Sequence, residues 1–176
     1  MINKPVYMVF TLLLLLPAFA PADNFRGSGL SGQYLYVPAA AKPLSMGEAF
    51  IAAEDEAAAG FWNPAGITTV RNISITAGHN EFVQGIRHET LGGVFPFKDG
   101  AMGLGVRYVN NGEQENRGPD GEPLGTFTPF QIVPQLTAAQ KLSYDLFAGA
   151  ALKILYEKIA DVTDVAVAAD AGLIYR

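Results

Sequence analysis

Three groups of residues carry side chains able to do chemistry. Glu54, Asp55 and Glu56 are adjacent, and neighbouring carboxylates can ligate Ca²⁺ or share acid–base work. No EF-hand loop surrounds them, so they read as the solvated end of a helix. His79 and His88 are the only histidines, and cysteine is absent. Two imidazoles near the rim of adjacent strands, with no thiolate to join them, do not make a metal site. Arg107, Lys153, Glu157 and Asp170 are charges set singly among small residues; they read as candidates to line a wet interior. No nucleophile elbow, phosphate-binding loop or zinc-ligand spacing occurs. The reading is therefore not an enzyme, with no catalytic residue, cofactor or metal expected.

Asn63-Pro64-Ala65 matches the tripeptide at the half-helix ends of water channels. That chemistry needs a second copy within a helical membrane bundle, and neither is present. The tripeptide reads instead as part of a compact turn, Phe61-Trp62-Asn63-Pro64-Ala65-Gly66. Pro64 suits the first position of a short helix, the Asn63 side chain can bond nearby backbone, and Trp62 can pack. Upstream, Ser45-Met46-Gly47-Glu48 has the capping-box pattern. It predicts a helix from Met46 to Ala53, interrupted by Glu54, Asp55 and Glu56, with a further turn at Ala57 to Ala59. Residues 23–44, rich in Gly, Ser and Pro, read as irregular.

These pieces need a scaffold, and from Arg71 to Arg176 the chain supplies alternation. Six stretches place apolar residues at every second position, the signature of strands with two unlike faces. They fall near Asn72–Asn80, Arg87–Phe97, Ala101–Tyr108, Thr126–Lys141, Tyr144–Glu157 and Val165–Arg176. In the fifth, Tyr144, Leu146, Ala148, Ala150, Leu152, Ile154 and Tyr156 share one face. A tyrosine at each end of an apolar face suits the two interfaces of a membrane. Lys98-Asp99-Gly100 predicts a tight turn with Gly100 at positive φ, and Pro134 predicts a bulge or local break. Asn110–Gly125 and Lys158–Thr163 read as polar outer loops, and Leu142-Ser143 as a short turn. This alternation of short and long connections is the habit of bacterial barrels. A soluble β-sandwich also uses alternating strands; it lacks polar faces that mix small residues with charges.

The N-terminus supplies an address. Lys4, the apolar run Val6 to Leu16 and the small residues after Pro17 read as a secretory signal peptide, with cleavage expected after Ala22. The run is short for a spanning helix, which needs about 20 residues. Removing residues 1–22 takes away Lys4 and no acid, moving the net charge of −5 to −6. An acidic, cysteine-free, exported chain argues against nucleic acid as a partner. The division expected is signal peptide 1–22, an N-terminal segment 23–70 and strands 71–176.

The stretch from Pro43 to Ile67, with Ser45-Met46-Gly47-Glu48-Ala49-Phe50 leading through acidic residues to Trp62-Asn63-Pro64-Ala65-Gly66, resembles the opening of the PorV/PorQ family, within the wider group of FadL-like barrels. His79-Asn80-Glu81, Gly125-Thr126-Phe127 and Asp170 to Arg176 also resemble family segments. The resemblance implies an all-β fold: part of an antiparallel transmembrane barrel behind a plug or hatch that contains Met46, Gly47, Trp62, Asn63, Pro64, Ala65 and Gly66. It implies an outer-membrane location and service in transport of hydrophobic small molecules, or in type IX secretion with secretion components and exported cargo as partners. Outer-membrane lipid would surround it. Family barrels have about fourteen strands, and diameter grows with strand number, so six strands read as the N-terminal part of a barrel. A soluble exported β-domain that binds a protein partner is the alternative.

Overall fold

The structure is a computed structural model describing residues 33–37, 39–51 and 56–176. The signal-peptide reading of residues 1–22, and Glu54 and Asp55, lie outside the described residues.

The architecture is mostly antiparallel β. Eight strands form: β1 (Ser74–Glu81), β2 (Arg87–Phe97), β3 (Gly100–Asn110), β4 (Gln114–Arg117), β5 (Pro123–Phe127), β6 (Phe130–Lys141), β7 (Leu146–Ile159) and β8 (Val162–Tyr175). Six make one sheet in the order β1-β2-β3-β6-β7-β8, with every neighbour antiparallel. The sheet is open, so β1 and β8 are its edges. β4 and β5 pair with each other in a separate hairpin.

Because side chains alternate, each strand sends one set to each face. One face carries Thr90, Gly92, Val94, Arg107, Gln135, Thr137, Gly149, Ala151 and Lys153, nearly all buried. The N-terminal segment covers it. Ala57, Ala59, Ile67 and Val70 form an apolar cluster with Val94, Ala101 and Ala139. The opposite face is the greasier one and is left open. Ile75 is 74% exposed, Leu104 58% and Leu173 66%. Soluble sheets bury one apolar face and wet a polar one; this sheet leaves its greasier face open, while the covered face mixes buried apolar residues such as Val94, Val133 and Leu155 with buried polar ones.

Several local expectations change. Among the described residues, the helix predicted from Met46 does not form: residues 46–51 are turn. A single α-helical turn, α1 (Ala41–Ser45), lies before it, with Met46 as its C-cap. Gly47 and Glu48 take positive φ, 60° and 65°. Glu48 N–H donates to the Pro43 carbonyl at 2.8 Å and Gly47 N–H to Leu44 at 3.1 Å. This 6→1 and 5→2 pair is a Schellman stop with glycine at C′. Ser45 therefore ends a helix, and its hydroxyl donates to the Lys42 carbonyl at 2.8 Å.

Gly100 does not take positive φ; it opens β3, where a Cβ would run into the Ala139 carbonyl. The expected loop at Asn110–Gly125 holds the β4–β5 hairpin, which also takes Thr126 and Phe127 out of the fourth strand of the large sheet. The expected outer loop at Lys158–Thr163 is a tight turn, because Ile159 already pairs with Val162 and Ala160 supplies φ 50°. The alternation of short and long connections therefore fails at the last hairpin. Tyr144 precedes β7, so the aromatic at that end of the open face is Tyr175, which pairs with Leu146. Pro134 gives the expected local break and no bulge. Ile132–Tyr156 and Gln135–Lys153 keep one register, and only Val133 and Pro134 drop out of the β6–β7 ladder.

Candidate functional site

The site lies where the N-terminal segment meets the covered face. Its centre is a 3₁₀-helix, Pro64–Thr69, with Pro64 in its first turn and Asn63 as N-cap. The fixed φ of proline and the amide-accepting side chain of asparagine both favour a helix start there. Asn63 accepts from Ala65 N–H at 3.1 Å. Its amide lies 3.3 Å from the Ile51 carbonyl and 3.4 Å from that of Leu173 on β8, donating to both. One buried side chain thus starts a helix, holds the preceding stretch and reaches the sheet.

The sheet accepts this turn because it lacks side chains beneath it. A Cβ on Gly149 would collide with the backbone of Pro64 and Ala65, so glycine there permits backbone to lie on backbone. Trp62 packs edge-on to Phe50, with ring centroids 5.7 Å apart at 78°, and the Phe50 side chain is fully buried. Ala65 and Gly66 are buried, whereas Met46 and Gly47 are exposed at the helix stop. The seven motif residues therefore separate into a docked group, Trp62 to Gly66, and an exposed pair.

Polar side chains of the covered face grip the segment by its backbone carbonyls. Thr90 Oγ1 donates to Ala39 at 2.6 Å. Arg107 donates to Leu35 at 2.7 Å and to Phe61 at 3.0 Å, with its guanidinium 4.9 Å from the centroid of the Phe61 ring. Gln135 donates to Gly60 at 2.5 Å. Each donor is buried, where a polar group without a partner costs about 1–3 kcal/mol. Undocking the segment exposes several of these debts together unless water enters.

Arg107, Lys153, Glu157 and Asp170 share the covered face. Arg107 lies under the segment, while Lys153 and Asp170 form an ion pair between β7 and β8. Glu157 accepts from Gln131 at 2.9 Å, and Gln131 accepts from Asn111 at 3.0 Å. Beside them, Tyr34 has a buried hydroxyl with no hydrogen-bond partner among the described residues. Burial first, then the carboxylates of Glu157 and Asp164, push its phenol up to about 12. His79 and His88 diverge. His79 is exposed with Nδ1 2.7 Å from Glu89 Oε1, and His88 is fully buried on the covered face.

The packing at the centre is tight. A cavity of about 10 Å³ between Phe61, Ile67, Gly103 and Thr137 is the size of one water. With the segment docked, the described residues leave no ligand-sized space there. Thr90, Gln135 and Gly149 escape a reading based on motifs, because alternation assigns them a face and not a partner. Replacing Asn63 by alanine is expected to lower stability by about 1–2 kcal/mol, the worth of an N-cap plus weak donor bonds. Asn63→Asp, which keeps the acceptor and loses the donors, is expected to fall between. Urea titration of the three proteins measures the order; an unchanged Asn63→Ala midpoint would show that the turn is held without it.

Searches of family models, of curated proteins and of solved structures find no match to this chain.

Proposed function

We propose that the chain is a wall of a bacterial outer-membrane β-barrel of the PorV/PorQ type, serving transport or protein secretion, with the N-terminal segment that precedes the strands as its plug. The observation that carries this is the open face of the sheet: it is lined by large apolar residues and uncovered, while the occupied face mixes small, apolar and polar residues. Water penalises such a face by about 25 cal/mol per Å², whereas hydrocarbon welcomes it. Two aromatic groups bracket it. Tyr108, Phe130 and Tyr156 stack side by side at one end, with centroids 6.1 and 6.0 Å apart. Phe95, Phe97 and Tyr175 stand toward the other end. From Leu146 to Tyr156, ten steps of about 3.3 Å at a tilt of about 40° give a height of about 25 Å, the apolar band of outer-membrane barrels.

In this reading the covered face is the interior, and passage requires the segment to leave it. Its anchors are hydrogen bonds and close packing with no covalent link, so departure is a conformational equilibrium. The β4–β5 hairpin, standing apart from the large sheet, favours a second role as a surface for secretion components or cargo. No helix among the described residues is long and apolar enough to cross a membrane.

The test is the environment of each face. With spin labels on Ile154→Cys and Ala168→Cys in reconstituted vesicles, the first should be relaxed by oxygen dissolved in lipid and the second by a water-soluble nickel chelate. Equal accessibility at both, or a chain that stays monomeric in the aqueous fraction without detergent, would sink the reading and leave the soluble exported β-domain.

A further inference from the structure

We propose that the wall beneath Phe61 is a seat for a small aromatic carboxylate, and that Phe61 occupies it as a stand-in while the segment is docked. The proposal deepens the transport reading above and rests on it for the departure of the segment.

The seat begins with missing side chains. Gly92 on β2 and Gly105 on β3 are directly opposed in register. A Cβ on Gly92 would lie 3.1 Å from the Phe61 ring, and one on Gly105 2.7 Å from it. The two glycines therefore make a flat floor on which one aromatic ring rests against backbone. Glycine inside a strand weakens it and marks a place of close approach. Here two such places coincide under one ring.

Arg107 stands two residues further along β3, on the same face as Gly105. Its guanidinium lies 4.9 Å from the centroid of the Phe61 ring, and its Nη2 donates to the Phe61 carbonyl at 3.0 Å. One arginine thus reads both the ring and the oxygen of a single residue. Its Nη1 donates to the Leu35 carbonyl at 2.7 Å. Its Nε is buried without a partner, on a residue only 4% exposed.

That orphan donor names the ligand. Nε–H and the adjacent Nη2–H form the fork that grips both oxygens of a carboxylate. A peptide carbonyl brings one oxygen and leaves the second prong empty. A carboxylate in its place satisfies both prongs, adds charge, and relieves the cost of an unpaired buried donor. The ring keeps its cation–π contact. From phenyl through Cβ and Cα to the carbonyl carbon, Phe61 has the skeleton of 3-phenylpropanoate, which differs there by the second oxygen.

Phe61→Ala vacates the seat and keeps both its floor and Arg107. Full-length Phe61→Ala in detergent, dialysed against labelled 3-phenylpropanoate, should take up one molecule per chain. Wild type should bind about tenfold more weakly or worse, because only chains whose segment has left are competent. Gly105→Val added to Phe61→Ala fills the floor and should abolish uptake. The neutral 3-phenylpropanamide should bind about tenfold more weakly than the acid, since charge-assisted bonds are roughly twice as strong as neutral ones. If Phe61→Ala does not fold, Phe61→Leu, which also removes the ring, takes its place. A free acid and the terminal phenylalanine of a polypeptide share this chemistry. N-acetylphenylalanine separates them: bound more tightly than 3-phenylpropanoate, it assigns the seat to a chain end, and bound more weakly, to a free acid. Absence of saturable uptake by the folded, vacated protein overturns the seat. So does equal affinity for the amide, or uptake unchanged by Gly105→Val. The dialysis reads alike in detergent and in buffer, so a chain that proves water-soluble sinks the barrel and leaves the seat to be judged on uptake alone.

Discussion

Replacing Leu104 by arginine is expected to cost the chain about 2–4 kcal/mol in lipid, the penalty for a cation on the outward face at mid-height. Leu104 sits near the middle of β3, pairs with Gly93 and Leu136, and is 58% exposed. In a water-soluble protein an exposed leucine is an easy place for a charge, and such changes usually fall within about 0.5 kcal/mol. The two environments therefore predict outcomes of different size for one substitution. Ala166→Arg, on the covered face of β8 and half-buried, is the matched control and should stay near wild type. Urea unfolding in lipid vesicles reads both. If Leu104→Arg is as stable as wild type, or more so, the open face does not meet hydrocarbon.

The second large effect should come from one methyl group. Gly149→Ala places a Cβ where the backbone of Pro64 and Ala65 now lies, and backbone cannot rotate aside as a side chain can. Overpacking of this kind costs about 1–3 kcal/mol, and Gly149→Val should cost more than Gly149→Ala. The strain falls on the contact between segment and sheet, so the segment should loosen while the strands persist. Trp62 is the only tryptophan and packs on Phe50 within that segment, which makes it a built-in reporter. Its emission should move to the red and become open to acrylamide, with the far-ultraviolet signal of the sheet unchanged. In planar bilayers the same variants should conduct more. A buried Trp62 in Gly149→Val would mean that the segment shifts with the sheet and does not gate it.

Much of the sheet was legible because a period of two fixes which residues share a face, and β2 (Arg87–Phe97) matches its expected bounds. Legibility ended where one pattern serves two structures. Ser-x-x-Glu around Ser45 has the letters of a helix start, yet Gly47 at positive φ makes it a helix stop. The glycines and prolines of Asn110–Gly125 suggested a loop, yet Pro123 and Gly125 are paired within a hairpin strand and Gly118, Pro119 and Gly121 lie in its turn. Ile159 and Val162 are apolar enough to carry β7 and β8 almost to their turn, which removed the expected loop. At the site, the turn from Trp62 to Gly66 was readable from local chemistry, since Asn63 and Pro64 act on their immediate neighbours. The grip of Thr90, Arg107 and Gln135 was not, because their partners lie far away in sequence and are carbonyls that every residue possesses.

Leu35, Ala39, Gly60 and Phe61 are held through their peptide oxygens, which any amino acid brings along. A substitution at half-buried Leu35 can therefore change its side chain without removing the bond that holds it, whereas Ala39, 1% exposed, has no such room. The sheet keeps the lock, and the outer side chains of the segment are free to be rewritten.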